Sequence, residues 1–100
     1  MPSNLHQRFA RLRFTQLEML CALADAGSMR AAAERLHVSA AAVSKALREM
    51  EASLGFPLFE RHPRGMVPTP RGERLITHAR RLLNEMEGAV KDVGTVRGAR

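Results

Sequence analysis

Residues Gly27 to Glu51, reading GSMRAAAERLHVSAAAVSKALREME, hold two short helical patterns separated by a break so tight that the second helix must cross the first. Ser28 is a good N-cap, and the MRAAAERL that follows is nearly all helix former, with Ala32, Ala33 and Leu36 available for a buried face. His37 and Val38 interrupt the pattern, and Ser39 caps a second helix in which Val43, Ala46, Leu47, Met50 and Leu54 form one apolar stripe. The opposite face is Ala40, Ala41, Ser44, Lys45 and Arg48. Small residues let the start of this helix approach another surface closely, Ser44 donates or accepts, and Lys45 and Arg48 carry charge, a combination suited to a DNA major groove. A helix-turn-helix presents its second helix in this way. An ordinary helical hairpin with a solvated basic face carries the same pattern.

The rest of the chain reads as scaffold, hairpin and a long helix. Residues 1–13 are polar and basic with no periodicity, which predicts a mobile arm or an irregular extension of the first helix. Thr15 to Asp25 is the first firm helix, with a capping box from Thr15 to Glu18, a staple of Phe14 on Met19, and Gly27 as its stop. Leu17, Leu20, Cys21 and Ala24 line one side. After Gly55, Leu58 and Phe59 predict a short strand, Glu60 to Gly65 a tight turn, and Met66 and Val67 a return strand ended by Pro68. The pair is either a wing with Arg61 and Arg64 at its tip or a solvated hairpin loop.

Thr69 caps the last helix with Pro70 at its first position. Leu75, Ala79, Leu82, Met86, Ala89 and Val93 then alternate steps of four and three, and Ile76, Leu83 and Val90 add a second row. A seam this long exceeds what a small domain can cover, so an identical helix from a second copy is the expected partner. Gly88 weakens the helix, and Gly94 and Gly98 predict fraying.

Charge and chemistry narrow the function. Sixteen Lys and Arg against ten Asp and Glu give +6 over 100 residues. Arg8, Arg11 and Arg13 stand in the first 14 residues without an acid, the footprint of a polyanion binder. Cys21 stands alone, excluding an internal disulfide, and His6, His37, His62 and His78 show no metal or relay spacing. No phosphate loop, nucleophile elbow or carboxylate pair points to an enzyme, and no cofactor or metal is expected. The chain shows no signal peptide or membrane span, so a cytoplasmic location is the simplest expectation.

AAERLHVS, the short helix containing Ser44-Lys45, LREMEASLGFPLFER and PTPRGE occur in an order and spacing that resemble the N-terminal DNA-binding domain of LysR-type transcriptional regulators. The resemblance runs from about Phe14 to about Glu87. It implies a mainly α, winged helix-turn-helix domain over residues 14–68 with a two-stranded wing. Residues 69–94 follow as a linker helix that pairs two subunits, and residues 95–100 as a frayed tail. The family's members are longer and carry a C-terminal effector-binding region that this chain lacks, so no small-molecule effector site is expected within it. Either a fragment or a natural protein without a sensor fits.

The implied activity is transcriptional control, with a homodimer binding an interrupted inverted repeat in double-stranded DNA. Ser39, Ala40, Ala41, Ser44 and Lys45 are then the expected base-reading set, and Ser28, Arg30, Arg48, Arg61 and Arg64 the phosphate and wing contacts. Leu75, Ala79, Leu82, Leu83, Met86, Ala89, Val90 and Val93 are the expected dimerisation set. One departure stands out: the family commonly has Gln-Pro or a similar pair where this chain has Ala40 and Ala41, which offer only methyl groups. The alternative from another class is a helical protein–protein interaction module with only nonspecific DNA affinity.

Overall fold

The computed structural model describes residues 4–97. Five helices and one hairpin follow in order: α1 (Asn4–Ala10), α2 (Phe14–Ala26), α3 (Met29–Leu36), α4 (Ala40–Leu54), β1 (Phe59–His62), β2 (Gly65–Pro68) and α5 (Pro70–Gly94). The central helix is α2, which packs against α3, α4, α5 and β2. Its neighbours surround it, so Met19 and Leu23 are buried in addition to the predicted Leu17, Leu20 and Cys21, while Ala24 is half-buried. Leu20, Leu23, Val43, Met50, Leu54 and Leu58 form the fully enclosed centre.

Local chemistry sets each boundary. The Oγ of Ser28 accepts from the N–H of Ala31 at 3.1 Å, and the Oγ of Ser39 accepts from that of Ala42 at 3.1 Å, so both helices of the helix-turn-helix begin where the serines predict. Between them His37 takes a left-handed conformation, φ 59°, and the N–H of Val38 returns to the carbonyl of Ala33 at 3.0 Å. The stripe on α4 is inward as expected, with Val43, Leu47, Met50 and Leu54 buried and Ala46 half-buried.

Three expectations are corrected. The start of α2 is capped from Arg13, whose N–H donates to Oε1 of Gln16 at 2.8 Å. Phe14 is therefore the first helical residue and not a staple outside the helix, and the Thr15–Glu18 box does not form. The strands extend into the predicted turn from both sides, and the second takes in Pro68: Phe59 pairs with Pro68 and His62 with Gly65, leaving only Pro63 and Arg64 as the turn. Where a mobile or irregular arm was expected, α1 is a helix packed on α4, with Arg8 Nη1 donating to the carbonyl of Leu54 at 3.2 Å. That contact satisfies one of the carbonyls a helix leaves open at its C-terminus. Residues 1–3 of the arm, and residues 98–100 of the tail with Gly98, lie outside the described residues.

The long helix is anchored at its base and exposed beyond it. Thr69, 7% exposed, accepts from the N–H of Gly72 at 3.0 Å and donates to the carbonyl of Pro57 at 2.9 Å. Gly72 packs directly on the Leu58 carbonyl, leaving no room for a Cβ. An ion pair at 2.8 Å joins Arg80 of α5 to Asp25 of α2. Leu75 and Ala79, expected in the dimer seam, are buried with Ile76 in the monomer's own core. Helical geometry turns both toward the monomer's own helices, so they offer a partner helix little surface. Beyond them Leu82, Met86, Val90 and Val93 are 53%, 48%, 62% and 70% exposed, Ala89 is exposed and Leu83 half-buried.

Candidate nucleic-acid interface

The exposed side of α4 follows from its buried side. With the Val43–Leu54 stripe turned inward, Ser39, Ala40, Ala41, Lys45 and Arg48 are exposed and Ser44 is half-buried beside them. The first N–H groups of α4 have no intrahelical partner; Ser39 takes that of Ala42, and the others face outward with the positive end of the helix dipole, a setting that favours an anion. Three alanines in the first turn keep side chains out of the way of a close approach.

Ser44 and Arg48 act together. Nη1 of Arg48 donates to Oγ of Ser44 at 2.8 Å, so the guanidinium lies along the helix surface one turn back toward the end that carries Lys45. The sequence assigned the two residues to different roles, and the bond joins them into one polar unit. Ser28, half-buried, spends its Oγ on the cap of α3, while Arg30 stands exposed on the following turn.

The wing is fixed to the helix-turn-helix by backbone. The N–H of Met66 donates to the carbonyl of Gly27 at 2.9 Å, tying β2 to the turn between α2 and α3. At Gly65, φ 130°, the chain passes so close to that carbonyl that no side chain fits, and its conformation is one that L residues avoid. At the other end of the hairpin the carboxylate of Glu51 accepts from the N–H groups of Leu58 at 2.6 Å and Phe59 at 3.2 Å. Arg61 and Arg64 are exposed, Arg61 within β1 and Arg64 in the turn. On the opposite strand face Glu60 sits 3.6 Å from His62, a solvent-exposed contact of little energetic weight.

The structure therefore brings Ser39, Ala40, Ala41, Ser44, Lys45 and Arg48 onto one face and holds the wing arginines on a hairpin anchored to the same unit. Sequence reasoning missed Glu51, Gly65, Gly72 and Arg8 as positioning residues. Glu51 reaches past the end of α4 to the backbone of Leu58 and Phe59, where helical periodicity no longer runs, and the two glycines answer contacts made across the fold. Among the described residues no group of three or more His, Cys, Asp and Glu is placed to hold a metal, and no helix is long and apolar enough to cross a membrane.

Comparison with known proteins agrees with this geometry. Residues 14–73 match the model of the bacterial regulatory helix-turn-helix protein, lysR family. The small neutral protease regulatory protein of Streptomyces coelicolor is 43% identical over 81 residues, 81% of this chain and 25% of that protein. The transcriptional regulator PtxR of Pseudomonas aeruginosa is 40% identical over 92 residues, 92% of this chain and 30% of that protein. The chain thus spans well under half of these relatives' length. Among solved structures, the CbnR DNA-binding domain in complex with DNA superposes with a TM-score of 0.74 at 41% identity, covering 83% of this chain and 94% of that one. The BenM DNA-binding domain bound to benA site 1 DNA has the same fold, with a TM-score of 0.83 at 24% identity over 89% of this chain and 100% of that one.

Proposed function

The chain belongs to the lysR family of bacterial regulatory helix-turn-helix proteins and is a winged helix-turn-helix DNA-binding domain; on that premise we propose that it binds an interrupted inverted repeat as a homodimer and acts in transcriptional control. The observation that carries the reading is the outward face of α4, where Ser39, Ala40, Ala41, Ser44, Lys45 and Arg48 stand clear of the core. Ser44 and Lys45 reach base edges, and Ala40 and Ala41 contact thymine methyl groups. The N-terminus of α4 with Ser39, together with Ser28, Arg30 and Arg48, engages phosphates. Arg61 and Arg64 add wing contacts to the backbone or minor groove. With so few polar groups for direct reading, DNA shape supplies part of the specificity.

Pairing runs through the part of α5 that the core leaves uncovered: Leu82, Leu83, Met86, Ala89, Val90 and Val93. A cytoplasmic location and the lack of any catalytic role go with this reading. Selection of bound duplexes from a random pool at near-physiological salt, with sedimentation in parallel, tests it. Recovery of a two-fold symmetric motif by a dimer is the expected result. Binding that falls alike on every duplex as salt rises, with no motif recovered, would instead mark an interaction module with nonspecific affinity.

A further inference from the structure

Beside the first half of α5 lies an apolar groove walled by Leu5 and Phe9 of α1, by Phe56, and by Leu75 and His78 of α5, with Arg74 on its rim. The groove is remote from the reading end of α4, because α1 docks where α4 ends, with Arg8 on the Leu54 carbonyl. Phe9 is 38% exposed in a helix that precedes the segment matched to the family. The wall at Phe56 is braced by Arg71, whose guanidinium stacks 4.6 Å from the ring centre.

Continuity and charge order indicate what covers this groove. Leu75, Leu82, Met86 and Val93 follow one line along α5, so the groove opens onto the exposed stripe. Along the groove edge of that stripe come first Arg74, His78 and Arg81, all exposed, and then Glu85 and Asp92, also exposed. Two antiparallel copies related by a two-fold axis set this edge against itself with its order reversed. The basic half of one helix then faces the acidic half of the other.

We propose that α1 belongs to the self-association surface, its groove receiving Ala89 and Val93 from the last turns of a second copy's α5. In that register the partner's Asp92 lies against Arg74 and His78. The inference rests on the reading of α5 as the pairing helix and adds the N-terminal helix to it.

Sedimentation across a concentration series, with circular dichroism as a folding control, tests the groove and the pairing separately. Leu82→Glu, on the exposed stripe, is expected to abolish the dimer. Phe9→Glu is expected to raise the dimer dissociation constant about tenfold, because a carboxylate in an apolar groove must be desolvated. Asp92→Arg should raise it about fivefold, and adding Arg74→Glu to the same chain should restore it, since the symmetric pair is rebuilt with reversed sign. If Phe9→Glu loses helix content, the charge reversal and its rescue decide the matter. An undisturbed dimer in Phe9→Glu, or no rescue in the double variant, overturns the groove while Leu82→Glu still supports pairing. A wild-type chain that stays monomeric to about 100 μM overturns both.

Discussion

The Ser44 hydroxyl and the Arg48 guanidinium stand one turn apart on α4, joined by a 2.8 Å hydrogen bond. The bond gives Arg48 a preferred direction, so on the proposed interface less of its side-chain freedom would be lost on contact with DNA. On the proposed interface, Ser44→Ala would remove both the serine's own contact and this tether. Affinity for the selected site is expected to fall by about 1 kcal/mol, roughly fivefold. Titration by fluorescence anisotropy measures it, and an unchanged affinity would take Ser44 out of the interface.

Lys45 and Arg64 are expected to respond differently. Lys45→Ala should weaken the cognate site more than random DNA, whereas Arg64→Ala should weaken both alike and lower the slope of log affinity against log salt by about 1. Equal losses on both duplexes for Lys45→Ala would remove it from the base-reading set.

Glu51 is expected to matter through the wing. Its carboxylate accepts from two backbone N–H groups, and Glu51→Ala leaves them without that partner, a cost of about 1–3 kcal/mol in chemical denaturation. Glu51→Gln keeps an acceptor oxygen and should cost less than about 1 kcal/mol. Equal stability of the two variants would mean water replaces the carboxylate.

Gly72 offers a test in which two effects oppose each other. Alanine favours a helix over glycine by about 1 kcal/mol. Here the added methyl meets the Leu58 carbonyl, and such overpacking typically costs about 1–3 kcal/mol. Gly72→Ala should therefore lower the melting temperature, while Gly88→Ala, with nothing near its Cβ position, should raise it. A rise in both would show that α5 shifts freely at its base.

Cys21 is expected to be an inert thiol. Burial pushes its pKa up from the ordinary 9.0, aided by Asp25 and opposed by Arg80. Because the folded pKa is raised, its contribution to stability is whole below the unfolded value and is lost as pH rises through the folded one. Wild type should thus lose more melting temperature than Cys21→Ala between neutral pH and pH about 10. A thiol reagent at pH about 8 should label the native chain far more slowly than the unfolded one; equal rates would contradict the burial.

The helix-turn-helix was legible because its information is local: Ser28 and Ser39 cap their own helices, and the Val43–Leu54 stripe repeats within one element. The seam on α5 was legible as apolar, but its division was not. Periodicity treats Leu75 and Leu82 alike, and only the position of α2 makes the first core and the second surface. Thr15 and Glu18 had the right residue types for a capping box, yet Gln16 reached the Arg13 N–H first and the helix started earlier. The register of the hairpin escaped because its strands are paired through backbone and pinned by Glu51 and the Gly27 carbonyl, groups whose partners lie elsewhere in the fold.

Thr69 follows the last wing residue directly and is buried on both sides of its hydroxyl, by Pro57 and by Gly72. No pliable joint separates the hairpin from the long helix, so α5 acts as a stiff handle on the reading unit. Two such handles clasped together would hold their reading units at a set inclination. A straight duplex would then have to curve to meet both, and the ease with which the spacer between half-sites bends would enter the choice of site.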